Sequence, residues 1–397
     1  MPPRGPLRGV VRTTGIVPRV PVRHNWGMPY ATLAVIDLGA IAHNLSAIRG
    51  RVGDRAILVA VKANAYGHGA VQVSRFIQDE RLADWLGVAT VPEGRELRDA
   101  GITLPILKLS HCFPDELEAA IDADLALTVV DEQTISSAQG AAEASGRVVN
   151  VHLKLDSGMR RIGSELSSGV GLARMIAASP NLRLQGVFTH LPISDTTAGL
   201  DFTRDELARF AAAVGEIEGA VGPIELVHAA NSGAVLGHDL GASTMVRPGI
   251  MVYGYYPDEQ TPRTLALHQA FSLVSRVSFV KAIPAGDSVG YGRTWITERE
   301  TRIATVPVGY ADGYSRLLSN RGSVLIGGVR RPVRGRVCMD QVMVEVDESV
   351  RVGDDVVLIG RQGDAVITTD EIAALMGTIT YEVTCLVTPR VTREYVL

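Results

Sequence analysis

A lysine amine does two things that a guanidinium cannot: it condenses with an aldehyde to an imine, and it takes up carbon dioxide as a carbamate. The chain has only four lysines, Lys62, Lys108, Lys154 and Lys281, against 35 arginines. Cationic surface is therefore built with arginine, and a lysine that survives this bias is a candidate for chemistry. The other reactive types recur at one kind of place. Lys62 follows the apolar run 57–61, Lys154 and Asp156 close the run 149–155, and His190 ends the run 184–189. Asn231 and Ser232 follow the run 226–230, and Arg247 lies in the run 245–254. One polar residue at the end of an apolar run is usually a solvated loop residue. Five such positions in one chain point to a shared rim.

The elements that would build that rim are eight β-rich runs, 57–61, 85–90, 105–109, 125–130, 149–155, 184–189, 226–230 and 245–254, alternating with amphipathic stretches such as 201–214. This βα alternation predicts an α/β fold, a TIM-type (β/α)8 barrel whose reactive groups sit at the C-terminal strand ends. An open doubly wound sheet is the alternative that the same alternation permits. After residue 254 the texture changes to short strands, 272–283, 301–308, 323–325, 331–337, 342–346 and 355–359, with one helical stretch at 370–376. The chain thus divides into a tail at 1–28, a barrel at 29–265 and a C-terminal mostly-β domain at 266–397, linked near 262–267.

A composition of 46% hydrophobic and 21% charged residues with a net charge of -4 is ordinary for a globular protein and gives no electrostatic case for nucleic acid. Cys112, Cys338 and Cys385 lack metal-ligand spacing, and their odd number leaves one unpaired. A reducing compartment, the cytoplasm, and no metal are expected. No apolar run approaches the ~18 residues of a membrane helix, so no membrane partner is expected. Residues 1–27 carry five arginines, five prolines and no acid. They are expected to be a disordered tail or an upstream extension of a start at Met28, with an organelle-targeting segment as the alternative.

The stretch Ala60-Val61-Lys62-Ala63-Asn64-Ala65-Tyr66-Gly67-His68-Gly69 resembles the cofactor-attachment motif of the alanine racemase family. The resemblance continues in order through Gly158-Met159-Arg160-Arg161-Ile162-Gly163, Thr189-His190, Ala230-Asn231-Ser232, Val246-Arg247-Pro248-Gly249-Ile250, Ser288-Val289-Gly290-Tyr291-Gly292, Gly309-Tyr310-Ala311-Asp312-Gly313, Cys338-Met339-Asp340 and Tyr381-Glu382. It covers roughly residues 29–397. It implies a barrel followed by a β domain, pyridoxal 5'-phosphate as cofactor, and two-base interconversion of L- and D-alanine that supplies D-alanine for peptidoglycan.

By the same resemblance, Lys62 carries the cofactor and is one catalytic base, and Tyr291 is the other. Tyr291 falls in the β domain, so a head-to-tail homodimer with shared active sites is implied. Arg247 is expected at the pyridine nitrogen, with an ion pair to a carboxylate as the alternative. Tyr66, Ser232, the amides of Gly249 and Ile250, and Tyr381 are expected to hold the phosphate. His190 would pack on the pyridine ring unless it is a core histidine, and Asn231 and His228 would stand behind these groups. Arg161, chosen over the adjacent Arg160 by its spacing to Gly163, the Met339 amide and Tyr310 are expected at the amino-acid substrate. Lys154 matches a lysine that is carbamylated in many members; an unmodified lysine paired with an acid is the other possibility. The stretch Leu191-Pro192-Ile193-Ser194-Asp195 departs from the small and acidic residues usual in the family.

Three other functions compete. A racemase of broader range or for another amino acid, such as serine, would share every motif. A decarboxylase of related fold would need a catalytic cysteine, for which Cys338 is a foothold, but not the tyrosine motif. A non-catalytic carrier of the cofactor would usually be a lone barrel.

Overall fold

In the runs AILVA (Ala56–Ala60) and LALTV (Leu125–Val129) nearly every residue is apolar, the pattern of strands buried on both faces. The computed structural model, which describes residues 31–397, arranges them accordingly. Eight parallel strands, Ala56–Ala60, Trp85–Val88, Ile106–His111, Leu125–Val129, Val149–Asp156, Leu182–Phe188, Leu226–His228 and Met245–Val246, neighbour one another in chain order, and the last returns to pair with the first. The barrel is nearly closed. Between its seventh and eighth strands the ladder is replaced by bonds from the Thr244 amide to the Val227 carbonyl and from the Arg247 amide to the Ala230 carbonyl. Leu58, Trp85, Leu107, Ala126, Leu226 and Met245 pack as a separate cluster inside the barrel, so the interior is a filled core rather than a pore.

All eight predicted barrel strands form, but the last is cut short. Pro248 has no amide to offer a ladder, and the chain turns at Gly249 into the tight helical turn Ile250–Tyr253 instead of extending to 254. The second domain departs further from expectation. The run 272–283 breaks into Phe271–Arg276 and Phe279–Ile283, which belong to different sheets, and the predicted strand 331–337 is limited to Val329–Pro332. Leu33–Asp37, which falls within the expected barrel bounds 29–265, pairs in the seven-stranded sheet, between Phe271–Arg276 and Thr392–Val396. The expected tail at 1–28 lies outside the described residues.

The junction between the domains is clamped by Asn44. Its side-chain amide donates to the carbonyls of Val252 (3.0 Å) and His268 (2.8 Å) and accepts from the His268 amide (2.8 Å). Gly254 between them has φ +92°, and a Cβ there would stand 1.9 Å from the His268 carbonyl oxygen. Gly146, which ends the helix Glu132–Ser145, is also left-handed (φ +65°), but a Cβ there meets nothing. Gly146→Ala is therefore expected to cost only the left-handed penalty, about 1 to 2 kcal/mol. Gly254→Ala adds a backbone collision and should cost clearly more, upwards of about 3 kcal/mol. Denaturant unfolding of both variants checks this, and equal losses would contradict the account of the junction.

Candidate active site

Lys62 leaves its strand on an unusual backbone. Ala63, Asn64, Ala65 and Tyr66 all have φ between 51° and 54°, so the chain coils left-handed for four non-glycine residues, a conformation costing roughly 1 kcal/mol or more at each. The compensation is local. The Glu93 carboxylate accepts from the Ala63 amide (2.7 Å) with one oxygen and from the Ala89 and Thr90 amides with the other. Asn64 Oδ1 accepts from the Ala70 amide (2.8 Å). Gly67 closes the coil at φ +86°, where a Cβ would collide with the Thr384 carbonyl at 2.1 Å. The coil thereby turns Lys62 and Tyr66 towards one cavity and seats them against the helix Thr380–Cys385 that carries Tyr381.

That cavity, about 290 Å³, opens at the C-terminal ends of the strands and is lined by Lys62, Tyr66, Lys154, Arg161, His190, Asn231, Ser232, Arg247, Gly249, Ile250 and Tyr381. Eleven of the predicted site residues thus meet at one place. Arg160 turns away to an exposed ion pair with Glu165, which leaves Arg161 as the guanidinium that faces inward. Tyr291, Tyr310 and Met339 are not among the lining groups. They lie in the β domain, where the Tyr310 amide donates to the Cys338 carbonyl (3.1 Å) and Gly290 abuts the Arg336 backbone. Tyr291 is 71% exposed, Met339 52% and Tyr310 42%.

Arg247 is buried, and four of its five N–H groups are committed. Nη1 donates to His228 Nδ1 (2.9 Å) and the His228 carbonyl (2.8 Å), and Nη2 donates to the carbonyls of Thr189 (2.6 Å) and Ala229 (3.1 Å). Among the described residues Nε–H is the donor left for the cavity. Burial pushes the guanidinium down to about 9, so it is still a cation at neutral pH, and no carboxylate pairs with it. The alternative of a carboxylate ion pair for Arg247 thus finds no partner among the described residues.

Burial is the largest influence on the titration of the neighbouring groups, and the nearby cations add to it. Burial, reinforced by Arg247 and Arg161, holds His190 far below the usual histidine range. Burial and Arg161 lower Lys62. Burial, then Arg247, Arg161 and Lys62, push Lys154 down to about 8. The Lys154 ammonium lies 5.2 Å over the Phe188 ring and donates to the Leu109 carbonyl at 3.4 Å; no acid lies within ion-pair distance of it among the described residues.

At the far wall Ser232 Oγ accepts from the amides of Gly249 (2.9 Å) and Met251 (3.4 Å). A Cβ on Gly249 would stand 2.6 Å from Tyr66 Oη, so glycine is what lets this loop and the tyrosine approach. Asn231 Oδ1 accepts from the Ala234 amide and from Ser194 Oγ, and its amide donates to the Leu191 carbonyl. The divergent stretch 191–195 is therefore anchored to the Ser232 loop, and its Asp195 reaches the cavity lining. Two contributors escaped the sequence reading, Asp195 and Glu93. For Glu93 the signal was present as the capping-box spacing Thr90-x-x-Glu93.

The donor set suits an anionic, aldehyde-bearing heteroaromatic ligand. The half-buried Lys62 amine, its pKa lowered first by burial, is shifted towards the free base needed for imine formation. The Arg247 Nε–H suits a ring nitrogen that accepts, and the Ser232, Tyr66 and Tyr381 hydroxyls offer neutral donors to a phosphate. No group of three or more His, Cys, Asp or Glu suited to a metal occurs among the described residues, and none of their helices is long and apolar enough to cross a membrane.

Comparison with known proteins agrees along nearly the whole described chain. Residues 36–257 match the model of the alanine racemase N-terminal domain and residues 270–395 that of the C-terminal domain. The alanine racemase of Cutibacterium acnes is 53% identical over 370 residues, covering 93% of this chain and 98% of the relative. That of Symbiobacterium thermophilum is 44% identical over 366 residues, covering 92% and 97%. Among solved structures, alanine racemase from Clostridium difficile 630 superposes with a TM-score of 0.88 at 36% identity, covering 93% of this chain and 96% of that one. The Bacillus anthracis enzyme with bound L-Ala-P gives 0.87 at 36% identity, covering 93% and 96%.

Proposed function

The chain belongs to the alanine racemase family, and on that premise we propose that it interconverts L- and D-alanine at the Lys62 cavity with pyridoxal 5'-phosphate as cofactor. The observation that carries this reading is the convergence of a half-buried lysine whose pKa is lowered by burial, a buried arginine with one uncommitted N–H, and the Ser232–Gly249–Tyr66 wall on one cavity. When bound, the cofactor supplies an electron-withdrawing system that acidifies the α-hydrogen of an attached amino acid. In this reading Lys62 Nζ attaches the cofactor and, once released, moves a proton on one face of the substrate Cα. Arg247 Nε–H meets the ring nitrogen, and because a guanidinium can only donate, that nitrogen stays unprotonated. Tyr66, Ser232, the Gly249 and Ile250 amides and Tyr381 hold the phosphate, His190 packs on the ring, and Asn231 fixes the Ser232 loop.

Arg161 receives the substrate carboxylate. Lys154, an amine near neutrality with no acid partner, fits carbamate formation, which would place a carboxylate between Arg161 and Arg247. The second base is Tyr291 Oη, moving a proton on the opposite face. Its high exposure and its separation from the cavity of its own chain support delivery, with Tyr310 and the Met339 amide, to the cavity of a second copy in a head-to-tail homodimer. D-Alanine supply for cell-wall peptidoglycan in the cytoplasm is the role this activity would serve.

Purified holoenzyme should abolish the optical rotation of L-alanine and D-alanine alike, with slower or no change for L-serine and no release of carbon dioxide. A faster loss with serine would favour the broader racemase, and carbon dioxide release a decarboxylase. Borohydride reduction followed by peptide mapping should fix the cofactor to Lys62; label on Lys108, Lys154 or Lys281 would refute the assignment.

A further inference from the structure

Behind Arg247 a row of polar side chains runs through the apolar interior of the barrel towards its opposite end. His228 Nε2 lies 2.9 Å from His152 Nδ1. Beyond it, His152 Nε2 and Gln185 Oε1 are both buried without a closed hydrogen bond, and the Gln185 side chain is the hydrogen-bonding group that favours charge on the His152 ring. They are orphans of complementary type. Gln185 Nε2 in turn donates to Glu225 Oε1 (3.3 Å), and the other Glu225 oxygen is held by Arg183 (2.6 Å). Gln185 also borders a cavity of about 190 Å³ at the N-terminal strand ends, beside Trp85 and Asn150. Room is made for this row. A Cβ on Gly186 would stand 2.5 Å from His152 Nδ1, and Phe188 stacks on His228 at 4.7 Å with the planes 6° apart.

The direction of every bond follows from the one group that cannot vary. A guanidinium only donates, so His228 Nδ1 must accept and His228 carries its proton on Nε2. That proton points at His152 Nδ1, which must accept, so His152 also carries its proton on Nε2. His152 Nε2–H then requires an acceptor, which Gln185 Oε1 provides, and the amide is left with its NH2 facing the Glu225 carboxylate. Burial keeps both rings neutral, His152 at about 3 and His228 also far below the usual range. One protonated ring would oppose two donors and break the row.

We propose that His228, His152 and Gln185 form a hydrogen-bond chain of fixed tautomers from Arg247 to Glu225, and that His152 and Gln185 are positioning residues for the Arg247 contact with the ring nitrogen. The chain holds the guanidinium plane and Nε–H in place from behind, and it connects the cation to a distal carboxylate through polarised neutral rings. The proposal rests on the reading that Arg247 faces the cofactor ring.

The test uses the holoenzyme labelled with 15N-histidine. Long-range 1H–15N correlation at neutral pH should show protonated Nε2 and bare Nδ1 on both His228 and His152. In Gln185→Leu the His152 pattern should shift to Nδ1–H or a mixture, with kcat down about 3- to 30-fold and KM little changed. Gln185→Glu combined with Glu225→Gln exchanges the two groups, keeps an acceptor for His152 and a donor between the pair, and should recover both the pattern and most of kcat. An Nδ1 proton on either ring of the wild type would overturn the proposal, as would a folded Gln185→Leu enzyme with unchanged kcat or a folded exchange variant no better than Leu. The wild-type tautomers decide alone if Gln185→Leu does not fold. Failure of the Arg247 reading is separable: the histidine resonances would not move when cofactor is added to the stripped protein, although the tautomers remain as derived.

Discussion

A guanidinium buried without a carboxylate partner is among the more costly things a protein core can hold, and the site is arranged around one. Arg247 is tolerated because three backbone carbonyls and one histidine nitrogen meet four of its N–H groups. Burial, reinforced by that cation, keeps His228, His152 and His190 neutral and lowers Lys154. Arg247 and Arg161 stand with the basic amines of Lys62 and Lys154 around the cavity, where Asp195 is the one carboxylate among the described lining residues. This basic lining in a partly dehydrated space favours anionic occupants, as a phosphate-bearing cofactor and an amino-acid carboxylate would be.

Placing Lys62 opposite this cation requires a backbone that the residues themselves do not prefer. The left-handed coil at 63–66 is stable because Glu93 satisfies its first amide from the next βα unit and the helix Thr380–Cys385 covers it. Part of the cofactor site thus depends on the C-terminal domain, which is threaded back onto the barrel: Leu33–Asp37 and Thr392–Val396 lie side by side in its sheet. Gly249 completes the wall by letting Tyr66 come within a distance no Cβ would allow.

The barrel was legible because each strand is a short apolar run buried on both faces, and the rim because lysine is rare and its neighbours recur at strand ends. What escaped has physical reasons. Of the residues in the coil after Lys62 only Asn64 belongs to a type that tolerates positive φ well, and a carboxylate that holds the coil, Glu93, is 30 residues away. Leu33–Asp37 pairs with strands more than 200 residues distant, so its sheet could not be inferred from local pattern. The choice of Arg161 over Arg160 depended on spacing until Glu165 was seen to hold the other side chain. The chain from His228 to Gln185 has no sequence signature, because its three members come from three different strands.

Among the described residues, Lys62 lines the cavity while Tyr291 stands exposed in the β domain. The proposed two-base reaction thus calls on a second chain for Tyr291. The most direct measurement mixes a Lys62→Ala chain with a Tyr291→Phe chain in equal amounts after reversible dissociation and follows racemisation as dimers reform. If the bases come from different chains, each mixed two-fold dimer holds one doubly damaged site and one intact site, so roughly a quarter of all sites regain full function. Activity no higher than that of either parent variant, with mixed dimers verified by mass, would contradict it.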